Sequence, residues 1–325
     1  MKIHYEALTN DWFDRAMSTG PNRTDWQPKH HLDLFRSWPE KYVTDYHQPF
    51  NPFAFAINAC ALDASSRKHG LSKAMRDQID YLDLAASIYT ETIEDHAYIR
   101  NDFAFPMYWA TMKKPFYGAF MNAYTAYGYM RLYETTKDEK YLSKAFRLIR
   151  TITSKDITIK LSEEDSQGDL WLYEYVFTPQ ENEIEYLKKL GTEMQENGNM
   201  RFRVYNGHIG AIITLMKYRK LTGLSFVDKT IEQSLLTMSK NLSKQIFENK
   251  YFSYSIEAVA LPDYGQTRAV HLAKQIAEAT DDEALKATAK IFEEFYITSI
   301  KDCEGDTYLT GRKAALEFYS PLKKA

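Results

Sequence analysis

The stretch Val204-Tyr205-Asn206-Gly207-His208-Ile209-Gly210-Ala211-Ile212-Ile213-Thr214-Leu215-Met216-Lys217-Tyr218-Arg219-Lys220-Leu221-Thr222-Gly223 decides the fold. Asn206-Gly207 is a turn signal, Asn206 is a good N-cap, and Gly223 stands where a C-terminal capping glycine belongs. Ile209, Ile212, Ile213 and Met216 recur at helical spacing, so the pattern predicts a short, buried helix. Beyond Gly223 the pattern changes: Val227, Ile231, Leu235, Met238 and Leu242 form one apolar stripe, with Asp228, Lys229, Glu232 and Lys240 opposite. A buried helix is followed by a half-exposed partner.

The pair recurs. Phe116 to Leu132 carries one charge, at Arg131, and leads through Thr135-Thr136-Lys137-Asp138 into the stripe Tyr141, Leu142, Ala145, Leu148, Ile149. Val270 to Ala279 leads through Thr280-Asp281-Asp282 into Leu285, Ala289, Ile291, Phe292 and Phe295, and Pro52 to Ala64 leads through Ser65 and Gly70 into Met75, Ile79, Leu82, Ala86. The expected fold is all-α dominated: an α/α toroid of about four helix hairpins with short β-hairpins at one rim. An ordinary helical bundle is the competing arrangement.

The 325 residues are expected to form a single domain over 1–325, with an irregular N-terminal arm over 1–48 and an inserted segment over 177–200. With 44 % hydrophobic and 26 % charged residues the chain is globular, and a formal net charge of -3 gives no reason to expect nucleic acid as a partner. The 24 tyrosines and 18 phenylalanines suit both helix packing and the faces of sugar rings. Cys60 and Cys303 lie far apart and form no metal-type pair; His30 and His31 lack a carboxylate or cysteine at ligand spacing. No metal and no cofactor are expected. Met1-Lys2-Ile3-His4-Tyr5-Glu6 has no apolar run of signal-peptide length and no segment approaches the roughly 18 apolar residues of a membrane span, so the expectation is a soluble, cytoplasmic protein.

Short β-like stretches separate the helices. Residues 101–105, 157–161, 170–176 and 201–204 alternate or can pair, and 247–256 reads as a hairpin turning at Glu248-Asn249-Lys250. If the buried helices run the same way, the segments before them share a rim: Tyr46 to Asn51, Tyr108 to Tyr117, Arg201 to His208, and Tyr254 to Arg268. Helix N-termini converging there favour an anionic ligand such as a carboxylate.

Four runs carry a resemblance. In order, Lys114-Pro115-Phe116-Tyr117-Gly118-Ala119-Phe120, Trp171-Leu172-Tyr173-Glu174-Tyr175, Tyr205-Asn206-Gly207-His208 and Phe252-Ser253-Tyr254-Ser255-Ile256 resemble the landmarks of the D-glucuronyl C5-epimerase C-terminal domain. The resemblance implies C5 epimerisation of hexuronic acid, D-glucuronate to L-iduronate type, in a polysaccharide or glycan precursor; family members acting on heparan-type chains are secretory-pathway proteins, and the expected cytoplasmic location departs from them and points to a bacterial setting. It implies Glu174, Tyr175 and Tyr254 as catalytic residues, with Arg203, Asn206, His208, Tyr264, Arg268 and Tyr117 binding an acidic glycan. Removing and returning a proton beside a carboxylate needs two proton-transfer groups and a cationic clamp. The expectation is that Tyr254 and the Glu174/Tyr175 pair take opposite faces of the sugar, with Arg203 or Arg268 holding the carboxylate.

The sequence departs from the family at Val176, where Pro follows the Glu-Tyr pair; at Ser255-Ile256-Glu257, where a Tyr-Asp-Leu-Arg motif loses its acid and its arginine; and at Gly265, where a His follows Asp263-Tyr264. The β-rich N-terminal part of such enzymes is not found either, which implies a second subunit or partner chain completing the cleft, or a shorter substrate. Two alternatives stay open: a uronic-acid lyase or a hydrolase on the same scaffold, or a non-catalytic acidic-glycan-binding protein. Glu174 in solvent, Tyr175 and Tyr254 as packed aromatics, His208 as a satisfied core histidine, Asn206 as a cap and Tyr117 as wall are the plain readings of the same residues.

Overall fold

A computed structural model describes residues 1–8, 50–102, 105–106, 111–247, 251–257 and 267–302. The expected arm beyond residue 8, with His30 and His31, lies outside the described residues, as do Tyr264 and Cys303. Residues 2–4 pair with the 279–281 turn through Ile3 and Thr280 and a bond from the His4 amide to the Ala279 carbonyl.

Among the described residues, four helix hairpins dominate, and their positions match the alternation of buried and striped segments. They are α1 (Pro52–His69) with α2 (Lys73–Ile88), α3 (Ala119–Thr136) with α4 (Glu139–Thr153), α6 (Tyr205–Thr222) with α7 (Asp228–Asn241), and α8 (Thr267–Glu278) with α9 (Glu283–Asp302). A short helix, α5 (Ile184–Lys189), lies between the second and third pairs. Asn51 caps α1 through a bond from the Ala54 amide, and Pro52 sits at its first turn, where a missing N–H costs nothing. Gly223, at φ 73°, ends α6 in the left-handed conformation that glycine adopts without strain.

The first helix of each pair packs on the first helix of the next: α1 on α3, α3 on α6, α6 on α8. Residues 119–132 of α3 and 205–218 of α6 are buried without a break, so neither has a solvent face. Close approach explains two glycines. A Cβ on Gly128 would strike the Phe55 ring of α1, and one on Gly210 would strike the Tyr124 ring of α3.

At the far ends of α1, α3 and α6 lies a buried ionic network. Arg131 Nη2 meets Asp63 Oδ2 at 2.6 Å and its Nη1 meets Glu134 Oε2 at 3.0 Å, while Lys217 Nζ reaches Glu134 Oε1 at 2.6 Å. Arg131 and Asp63 are each 1 % exposed. Burial works against the Glu134 carboxylate, but Lys217 and Arg131 outweigh it and hold its pKa below the ordinary value.

The strands are short: β1 (Thr90–Ile93) with β2 (His96–Ile99), β3 (Phe105–Pro106) with β4 (Thr111–Met112), β5 (Ser162–Glu164) with β6 (Leu170–Leu172), β9 (Met200–Phe202) between β7 (Tyr175–Phe177) and β8 (Glu193–Met194), and β10 (Ile246–Phe247) with β11 (Tyr251–Phe252), all antiparallel. The strand expected at 157–161 is absent. Side chains from elsewhere bond its backbone instead: Glu94 accepts from the Thr158 amide, Asn197 donates to the Thr158 carbonyl, and Gln195 donates to that of Lys160. The expected strand 170–176 breaks at Tyr173-Glu174, between partners β5 and β9. The expected inserted segment over 177–200 ends in a closed turn, with bonds from the Gln195 amide to the Asn199 carbonyl and from the Gly198 amide to the Gln195 carbonyl.

Removing Asp63 leaves a buried guanidinium without its closest partner, a loss of about 3–5 kcal/mol. Asp63→Ala is therefore expected to lower the urea midpoint by that equivalent. A change under about 1 kcal/mol would remove the network from the account.

Candidate active site

The break between β6 and β7 presents Glu174 to the interior. The Leu172 amide donates to His208 Nδ1 at 2.9 Å, the Tyr173 amide to the Leu161 carbonyl, and the Tyr173 carbonyl accepts from the Ala119 amide at 2.7 Å. Tyr117 and Val176 exchange backbone bonds at 3.0 and 2.8 Å. Residues 172–176 are thereby stitched to the starts of α3 and α6, and the Glu174 side chain is left 2 % exposed.

Two glycines make room for it. A Cβ on Gly118, the N-cap of α3, would run into the Glu174 carbonyl, and one on Gly207, in the first turn of α6, would run into its carboxylate. The carboxylate therefore lies against a helix N-terminus, where the backbone dipole favours negative charge by roughly 0.3–1 kcal/mol.

Tyr254 completes the group. Its hydroxyl donates to Glu174 Oε1 at 2.6 Å and lies 2.9 Å from the Tyr175 hydroxyl. With the Tyr254 proton on Glu174, the Tyr175 hydroxyl donates in the second bond. One phenol is thus held between a proton acceptor and a proton donor. The backbone holds it too, through a bond from the Tyr205 amide to the Tyr254 carbonyl at 3.1 Å and the pairing of Val204 with Ser255. All four landmark runs meet at Glu174: Gly118, Tyr175, Gly207 and Tyr254 each touch it or adjoin it.

The family's sequence profile, described as the D-glucuronyl C5-epimerase C-terminus, matches residues 92–294. The chain belongs to the D-glucuronyl C5-epimerase C-terminal family. Among solved structures, the GH76A alpha-1,6-mannanase from Salegentibacter sp. HEL1_6 is similar over 93 % of this chain and 77 % of its own, at 12 % identity and a TM-score of 0.48. A sequence search of curated proteins gives no match. Among the described residues no helix is long and apolar enough to cross a membrane, and no three His, Cys, Asp or Glu residues are grouped to hold a metal.

Within this C5-epimerase family domain, the residues expected at the site separate into two groups. Glu174, Tyr175 and Tyr254 come together. They do not bracket a ring: groups about 3–3.5 Å from a carbon on opposite faces stand about 6–7 Å apart, whereas these hydroxyl and carboxylate oxygens are in hydrogen-bond contact. Arg203 is turned inward, its Nε donating to Glu257 Oε1 at 2.8 Å, Nη1 to Asp165 Oδ2 at 2.9 Å and Nη2 to the Gly191 carbonyl at 3.0 Å. These bonds make it an internal strut and not a clamp on a ligand.

His208 is also internal. Nδ1 accepts from Leu172 and Nε2 faces the Ser234 carbonyl at 3.2 Å, which fixes the Nε2–H tautomer, and the ring lies on Trp171. Asn206 is not the cap: α6 begins at Tyr205 with Val204 before it, because Val204 is still paired to Ser255 and the chain enters the helix directly from extended backbone. The Asn206 amide oxygen is buried beside Gly207 with no hydrogen-bond partner. Tyr117 donates to Glu91 Oε1 at 2.6 Å; burial, aided by that bond, pushes its phenol up, and it forms wall. Arg268 stands in the first turn of α8, its side chain outside the described residues.

Sequence reasoning missed the packing role of Gly118 and Gly207, although both sit inside the landmark runs. It also missed Asp165 as the partner of Arg203. The signal there was the run Asp165-Ser166-Gln167-Gly168-Asp169, whose first carboxylate accepts from the Gln167 and Asp169 amides in a side-chain-capped turn.

Burial lowers the His208 pKa to about 4, against about 6.5 in the unfolded chain. The unfolded chain therefore takes up the proton first. The stability contributed by neutral His208 is complete above pH 6.5 and falls as pH drops toward 4, by up to roughly 3 kcal/mol. Urea unfolding at pH 7.5, 6.0 and 4.5 is expected to show this loss, and His208→Gln to flatten it. An unchanged slope in the variant would contradict a buried neutral histidine.

Proposed function

We propose that this chain epimerises hexuronic acid residues at C5, D-glucuronate to L-iduronate type, within a polysaccharide or a glycan precursor. One observation carries the reading: the hydrogen-bonded series from Tyr175 through Tyr254 to Glu174, in a domain of this family. A phenol with a pKa near 10 is a poor base at neutral pH unless its proton has somewhere to go. Glu174 supplies that acceptor. As the Tyr254 oxygen takes the C5 proton, its own proton passes to Glu174 Oε1, and the C–H bonding pair moves toward the uronate carboxylate. The Tyr175 hydroxyl donates to the same oxygen throughout and opposes any build-up of charge on it.

The N-termini of α3 and α6 favour the anionic intermediate, and Arg268, in the first turn of α8, is the proposed clamp on the carboxylate. The proton returned to the other face needs a donor outside the Tyr254 group, because that group lies in mutual contact. Tyr264, between Tyr254 and α8 in the sequence, is proposed to bind the substrate. We further infer that the four hairpins form an α/α toroid, a reading supported by the succession α1, α3, α6, α8 and by the shared rim at Glu174.

The test is incubation with uronate oligomers in deuterated water. Deuterium is expected at C5 by NMR, and Tyr254→Phe is expected to lose on the order of 10²–10⁴-fold in exchange rate with the fold intact. Exchange at the wild-type rate in Tyr254→Phe, or an unsaturated product absorbing in the ultraviolet, would contradict the proposal.

A further inference from the structure

Tyr254 sits in a run, Ser253 to Glu257, with neither helix nor strand to hold it, yet its hydroxyl is fixed between two partners. Three backbone contacts attach the run to residues 203–205: the Tyr205 amide to the Tyr254 carbonyl at 3.1 Å, the pairing of Val204 with Ser255, and the Ile256 amide to the Arg203 carbonyl at 3.1 Å. The end of the run is held by the Glu257 side chain. Glu257, 9 % exposed, uses one oxygen, Oε1, to accept from both the Arg203 amide at 2.9 Å and the Arg203 Nε at 2.8 Å.

Arg203 is itself anchored. Its other nitrogens bond Asp165 Oδ2 and the Gly191 carbonyl, and Asp165 is held by the Gln167 and Asp169 amides and by the Trp171 indole at 3.2 Å. Burial opposes the Asp165 charge, but those amide bonds and Arg203 keep its pKa below the ordinary carboxylate value. A series of buried polar contacts thus runs from the β5–β6 turn to the third residue after Tyr254.

A buried ion pair is weak evidence for stability, since apolar packing of the same volume often does as well. What it adds is direction. Apolar contact lets a loop slide, whereas two donors meeting one carboxylate oxygen fix distance and angle.

We infer that the Arg203–Glu257 pair is a positioning clamp that sets the distance of the Tyr254 phenol from Glu174 and Tyr175. Glu257 is a positioning residue: it touches no reacting atom and acts through the loop. The rate readout of this inference rests on the epimerase reading; its spectroscopic readout does not.

The experiment places 3-fluorotyrosine at position 254 of the full chain and records its fluorine NMR signal. C5 deuterium exchange on uronate oligomers is followed in parallel, in wild-type, Glu257→Gln and Glu257→Ala. Glu257→Gln keeps an oxygen acceptor for Arg203 and is expected to retain the wild-type fluorine position. Glu257→Ala is expected to move the resonance and to lower kcat on the order of 10²-fold, the cost of a misplacement of about 1 Å, with KM within about twofold. Should Glu257→Ala fail to fold, Glu257→Asp, shorter by one methylene, carries the test with a smaller loss. An unmoved fluorine signal with wild-type exchange in Glu257→Ala or Glu257→Asp overturns the clamp. A moved signal in a protein whose wild-type form exchanges no proton supports the clamp and rejects the reaction. Wild-type exchange with an unmoved signal rejects the clamp and leaves the reaction standing.

Discussion

The Glu174 carboxylate, lodged against the first turn of α6 and bonded by Tyr254, is the contact on which the site depends. It is stable there for three separable reasons. Gly207 leaves the space, the helix terminus offers a favourable dipole, and the phenol gives a charge-assisted hydrogen bond worth roughly 1.5–3 kcal/mol. The first two come from the start of α6 and the third from the loop after β11, so the position of the carboxylate reports the packing of α6, the β6–β7 break and that loop together.

Buried ion pairs lie toward both ends of α3 and α6 and serve differently at each. At the far end Arg131, Asp63, Glu134 and Lys217 neutralise one another and tie α1, α3 and α6 into a fixed relation. Near Glu174 the ion pairs Arg203–Glu257 and Arg203–Asp165 hold loops. Gly128 and Gly210 at the helix contacts let the backbones approach closely. The outcome is a group of loops held on packed helices, an arrangement able to fix side chains in place.

The helices were legible because burial differs between partners: α3 has no exposed face, whereas α4 shows a Tyr141, Ala145, Leu148, Ile149 and Ile152 stripe. Period alone carries that information. The site was legible only through the order of four landmark runs, since a lone Glu-Tyr or Asn-Gly-His has no spacing that compels chemistry. Arg203 was misread for a physical reason. Its partners Asp165 and Glu257 lie 38 and 54 residues away, and a sequence displays a charge without displaying what neutralises it. The same holds for 157–161, whose alternation is real but whose backbone is satisfied by Glu94, Gln195 and Asn197. The cap at Val204 escaped because the N-cap preference of Asn206 yields to a β-pairing with Ser255 that no local window contains.

If Glu174 is the proton acceptor that makes Tyr254 a base, then its charge matters and its volume does not. The direct measurement is C5 deuterium exchange in Glu174→Gln, alongside the melting temperature of the same variant. Glutamine fills the same space against Gly207 and retains an acceptor for the Tyr254 hydroxyl, but as a neutral amide it cannot take up the phenol's proton. The melting temperature is expected to stay close to wild-type and exchange to fall on the order of 10²–10⁴-fold. Exchange at the wild-type rate in a folded Glu174→Gln protein would contradict it.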